Sequence, residues 1–129
     1  MAQIVIINDG AFSQACAALF ELDGHTVEIV APDAGDLSRR IALGRRCNSG
    51  IGLVVMSYQA APFVLETLRE AEVPTIILLD CMHREIMQAL SHFRNICFMV
   101  KPLDFRRFRI LARQAVSGSF RSNGEILFD

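Results

Sequence analysis

A chain of 129 residues, 52% hydrophobic and 21% charged, is long enough to bury one true core and too apolar to be a disordered segment. A net charge of −1 gives no overall field for nucleic acid or an anionic membrane, so neither is expected as a partner. No apolar run reaches the roughly 20 residues of a spanning helix, and Met1-Ala2-Gln3 lacks the basic start of a signal peptide, so the chain reads as cytoplasmic.

Gln3 to Ile7 is apolar almost throughout, as a strand covered on both faces would be. A helix follows over Phe12 to Leu22, where Phe12, Ala15, Cys16, Leu19 and Phe20 form one stripe and Gly24 supplies a stop. Thr26 to Val30 reads as the second strand, ended by Pro32. Asp36 is the expected N-cap of a helix reaching Cys47, with Leu37 and Ile41 inward. Gly50 and Gly52 should break the chain before a third strand, Leu53 to Met56. Pro62 suits the start of a third helix. Beyond it come a strand over Thr75 to Leu79, a helix over Arg84 to Phe93, a strand over Ile96 to Val100 and a helix over Asp104 to Val116.

Strands alternating with helices of about ten residues imply right-handed βαβ units, a parallel sheet and a three-layer α/β sandwich over residues 1–116. The tail, 117–129, reads either as a linker or, through Ile126-Leu127-Phe128, as a docked strand. Chemistry in such a sheet gathers at the carboxyl ends of the strands. Asn8, Asp9, Ser57, Asp80 and Lys101 stand there.

Three features carry a resemblance to bacterial response-regulator receiver domains of the CheY type. Asn8-Asp9 ends the first strand where that family has an acidic pair. Gly24-His25-Thr26-Val27 resembles its Gly-His-x-Val turn, and Val100-Lys101-Pro102 its Lys-Pro signature. Lys101 is the only lysine beside twelve arginines, which makes its placement informative. The resemblance implies a flavodoxin-like fold with sheet order 2-1-3-4-5 and five helices. It also implies a role in two-component or phosphorelay signalling, with a sensor kinase, an effector domain or a second copy as partner.

The same resemblance exposes departures. Receivers accept a phosphoryl group on an aspartate at the end of the third strand, beside Mg²⁺ held by hard oxygen ligands. Here Ser57 takes the acceptor place, and a serine hydroxyl without a base is a weak nucleophile. Asn8 is neutral, leaving Asp9 as one carboxylate, so Mg²⁺ binding at Asp9 is expected to be weak and no other cofactor is implied. Leu79 occupies the position of the family's Ser/Thr and cannot bond a phosphoryl oxygen. Phe98 stands where the family often carries a switch aromatic, yet nothing remains to trigger its swing. Lys101 reads as the partner of Asp9 in a vestigial ion pair.

Elsewhere, Arg106, Arg109 and Arg113 share a face of the last helix. They are either solvated or part of a homodimer surface made by the fourth helix, fifth strand and last helix, facing Glu85 or Asp104 of a partner. The four cysteines show no CxxC pair and read as reduced thiols, and the three histidines lack metal spacing. The reading is a non-enzymatic signalling module acting through protein contacts. Its rivals are a receiver whose acceptor is displaced to Asp80 or Asp9, and a flavodoxin-like domain that holds a small anion at the Ser57–Pro62 loop.

Overall fold

Apolar runs four or five residues long, separated by amphipathic segments, leave each strand only one way to hide both faces: between two layers of helix. The computed structural model describes residues 3–8, 10–46, 50–80, 84–85, 88, 95–100, 104–118 and 126–127. In chain order these form β1 (Gln3–Ile7), α1 (Ala11–Leu22), β2 (Thr26–Val30), α2 (Ala34–Arg46), β3 (Ile51–Ser57), a 3₁₀ turn (Tyr58–Ala60) and α3 (Ala61–Ala71). β4 (Thr75–Leu79), β5 (Ile96–Val100), α4 (Phe105–Val116) and β6 (Ile126–Leu127) complete the chain. Within the expected helix over Arg84 to Phe93, Arg84, Glu85 and Gln88 are helical and the other positions lie outside the described residues.

The sheet order is β2-β1-β3-β4-β5-β6, parallel at every pair. Its first five strands have the order 2-1-3-4-5 of the flavodoxin-like fold. The sixth is the tail: Ile126 aligns with Phe98 and Leu127 with Met99.

Strand alternation divides the core into two. Ile4, Ile6, Leu53, Val55, Ile76 and Leu78 face α1 and α4, meeting Cys16, Phe20, Phe108 and Leu111. Val5, Ile7, Val54, Met56, Ile77 and Leu79 face α2 and α3, meeting Leu37, Ile41, Val64 and Leu68. The Phe20 and Phe108 rings lie 4.9 Å apart, tilted, and join α1 to α4. Cys16 and Cys97 are buried and form no disulfide. No helix among the described residues is long and apolar enough to cross a membrane.

Helix ends follow the local chemistry, with two departures from the sequence reading. At α1 the Gly24 amide donates to Glu21 O and the His25 amide to Phe20 O, a Schellman closure with Gly24 at φ +87°. The His25 ring meets the Phe20 ring edge-on across that closure. Asp33, rather than Asp36, caps α2: its Oδ1 accepts from the Gly35 and Asp36 amides, and the helix begins at Ala34. Asp36 then sits in the first turn, where Arg40 bridges it to Glu28 of β2. Gly52 does not precede β3 but lies inside it, where the register against β1 shifts between Gln3–Ile51 and Ile4–Leu53. A residue without a side chain accommodates such an irregularity without losing a packing partner.

Candidate functional site at the strand ends

All six strands point their carboxyl ends at one rim, and that rim collects the residues singled out by sequence. β1 leads into it through Asn8, whose amide donates to Val30 O at 2.7 Å. Its side-chain Oδ1 accepts from the Gly10 amide at 3.1 Å, a local turn that spends this oxygen on the backbone. Gly10 stands at φ +78° and ψ −145°, a region almost reserved for glycine, and α1 starts from it without a side-chain cap. Asp9 and Lys101 lie outside the described residues, as does Pro102.

β3 delivers Ser57 to the same rim, in register with Leu78 of β4. The residue is only 4% exposed. It precedes the 3₁₀ turn without capping it through its hydroxyl. Beneath it is a small cavity of ≈ 10 Å³, shared with Phe12, Ser13 and Cys16 of α1. That is room for about one water, far below the several hundred Å³ of a small-molecule pocket. The Ser13 hydroxyl, also buried, donates to Ile7 O at 3.5 Å. Neither a carboxylate nor an imidazole bonds the Ser57 hydroxyl among the described residues, and His25 lies at the opposite end of the sheet, ahead of β2. Among the described residues, a serine so placed has no base to activate it.

Leu79 ends β4 and faces the other layer, in one core cluster with Phe98 of β5. Both side chains are about 1% exposed. The structure thus joins Leu79 to Phe98 on the α2–α3 side, and Ser57 to Ser13 on the α1–α4 side. Asp80, one residue beyond β4, is exposed, and its Oδ2 accepts from Gln59 Nε2 at 3.2 Å. That contact ties the 3₁₀ turn to the end of β4. Among the described residues no three His, Cys, Asp or Glu side chains come together as a metal cluster.

The arginines of α4 do not behave alike. Arg109 reaches back to Asp23, the C-cap of α1, with Nε 2.8 Å from Oδ2 and a second guanidinium nitrogen on Oδ1. The Arg109 hydrogen bonds hold the Asp23 carboxyl below its ordinary range, and Asp23 in turn raises Arg109. Arg107 pairs with Asp104, which caps α4 by accepting from the Arg106 and Arg107 amides. Arg106 and Arg113 point outward. Sequence reasoning saw one face of three equivalent cations; the pairing of Arg109 with Asp23 joins distant parts of the chain and had no local signal.

Neither a family model nor any curated protein matches the chain. Solved structures do. A response regulator receiver domain protein from Clostridium thermocellum aligns with a TM-score of 0.66 at 21% identity, over 92% of this chain and 96% of that one. A response regulator in red light signaling of R. palustris aligns with a TM-score of 0.64 at 13% identity, over 88% and 93%. The chain has the fold of a response-regulator receiver domain.

Proposed function

We propose that the chain is a signalling module of the receiver type that takes no phosphoryl group on aspartate and acts through contacts with other proteins. The observation that carries this reading is Ser57: a buried hydroxyl, with no base beside it among the described residues, occupies the end of β3, over a cavity with space for about one water. Asn8 spends its side-chain oxygen on Gly10, and Leu79 is turned into the core with Phe98. Together these remove the carboxylate, the second acid and the hydroxyl that a phosphorylation cycle needs. Asp9 then offers one carboxylate, enough for weak Mg²⁺ attraction and no more. A kinase, an effector domain or a second copy would read the exposed helix faces.

The direct test is incubation with acetyl phosphate, or with beryllofluoride, in the presence of Mg²⁺, followed by intact-protein mass and by NMR. No adduct and no shift of the rim amides are expected. A stoichiometric acyl-phosphate adduct overturns the reading, and Asp80→Asn and Asp9→Asn variants then show which carboxylate took it.

A further inference from the structure

We infer that the outward faces of α3 and α4 are complementary halves of a head-to-tail contact between copies of this chain. Phe63, Glu66 and Glu70 are exposed along α3 at offsets of three and seven residues. Phe63 is 61% exposed, a large ring left outside a core that has filled both its layers. Arg106, Arg109 and Arg113 lie along α4 at the same offsets. Ile110 stands among them, 36% exposed, and Leu22 from the last turn of α1 is 82% exposed. With Asp23, the α4 residues line an open groove of ≈ 490 Å³.

On both helices the marked positions fall about 4.5 and about 10.5 Å from the first, at 1.5 Å per residue. A parallel alignment sets Phe63 against Arg106, Glu66 against Arg109 and Glu70 against Arg113. An antiparallel one sets Glu70 against Arg106 and Phe63 against Arg113. Either order gives each carboxylate a guanidinium or an apolar neighbour, and puts the ring against a guanidinium face. Within one molecule Glu66 already carries Arg69 at 2.9 Å, Arg109 holds Asp23 and Arg107 pairs with Asp104, so the complementarity rests mainly on Glu70 and Phe63 against Arg106 and Arg113.

The complementarity favours unlike faces over like-with-like pairing. A two-fold contact through α4 alone would bring Arg106 and Arg113 against their own copies, and β6 lies along the outer edge of β5. α3 packs on one side of the sheet and α4 on the other, so the two halves never meet within one molecule. Successive copies must stack, closing into a ring or growing as an open chain. One helix face against another is a small interface, so the association is weak and sensitive to salt.

Sedimentation of the full chain tests this without Mg²⁺ or a phosphodonor, so its outcome is separate from that of the phosphorylation test. The mass-average should rise with concentration in about 25 mM NaCl and fall back to the monomer in about 500 mM. Arg106→Glu/Arg113→Glu and Glu66→Arg/Glu70→Arg should each weaken self-association at least about tenfold, a shift of roughly 1.4 kcal/mol. An equimolar mixture of the two should associate again, because each supplies the face that the other lacks. Circular dichroism checks folding, and Arg106→Gln/Arg113→Gln serves if the reversal does not fold. A monomer at about 1 mM in low salt, association that survives either reversal, or a mixture that stays monomeric overturns the inference.

Discussion

Arg109 of α4 and Asp23 at the end of α1, 86 positions apart, form a two-pronged ion pair across the outer side of the sheet. The planar guanidinium matches the carboxylate fork, which fixes the two helices in register. The Phe20–Phe108 stack fixes the same two helices from beneath. Asp23 titrates below its ordinary value because Arg109 holds the charged form. Its contribution to stability is therefore full above the unfolded-state value and fades as the pH drops through the folded one. Asp23→Asn should lower the urea midpoint at pH 7, and the gap to the parent protein should close in acid. A gap that persists at low pH would assign the effect to packing instead.

Glu72 closes α3 with φ +55°, a left-handed position normally given to glycine. The turn survives because the Glu72 and Val73 amides reach Arg69 O and Leu68 O, and Asn95 Nδ2 donates to Glu72 O at 3.0 Å. Glu72→Gly should stabilise the fold by about 0.5–1 kcal/mol, as relief of backbone strain outweighs the added freedom of the unfolded chain. Equilibrium unfolding in urea measures it.

Ser57→Asp restores the acidic side chain of a phosphoacceptor, but places it over a cavity with space for about one water. Burial disfavours the charged form and pushes such a carboxyl upward. The variant should therefore lose about 1–3 kcal/mol at neutral pH and regain stability as the pH falls. Millimolar Mg²⁺ should not rescue it at pH 7. If it does, the rim still holds a metal site and the proposed loss of metal chemistry fails.

Among the described residues, β6 pairs with Phe98 and Met99 of β5. Removing residues 119–129 should leave the five-stranded core folded, since the buried clusters lie between the helices and the inner strands. Hydrogen exchange at the β5 amides that face β6 should accelerate, while β1 and β3 stay protected. Uniform acceleration across the sheet would show that the tail supports the whole domain.

Most of this fold was legible because its signals are local. Five apolar runs and their intervening stripes placed β1, β2, β4, β5 and α1 within a residue of their observed limits. Gly24 announced a turn whose geometry the structure confirms. The misses have local causes as well. Asp33 and Asp36 both make good caps, and only the extra turn beginning at Ala34 decides between them. Gly52 reads as a breaker until the register shift against β1 shows it working inside a strand. Nothing local marks Ile126-Leu127 as the neighbour of Phe98, or Asp23 as that of Arg109, because both depend on the assembled sheet. At the candidate site, residue identities were readable and orientations were not. The family resemblance assigned Ser57, Leu79 and Phe98 to one site; the two-residue period of the strands sends Ser57 to one layer and the other two to the opposite one.

The parallel docking of β6 sets where a label would sit. β1 begins at Gln3 on the lower rim, whereas β6 runs upward beside β5, its Leu127 in register with Met99 toward the rim that holds Ser57. A dye attached at position 127 would crowd the surface that a phosphodonor must approach, and one at Gln3 would leave it open. Dyes at Gln3 and at position 127 would span the height of the sheet, so energy transfer between them should report directly on the undocking of β6.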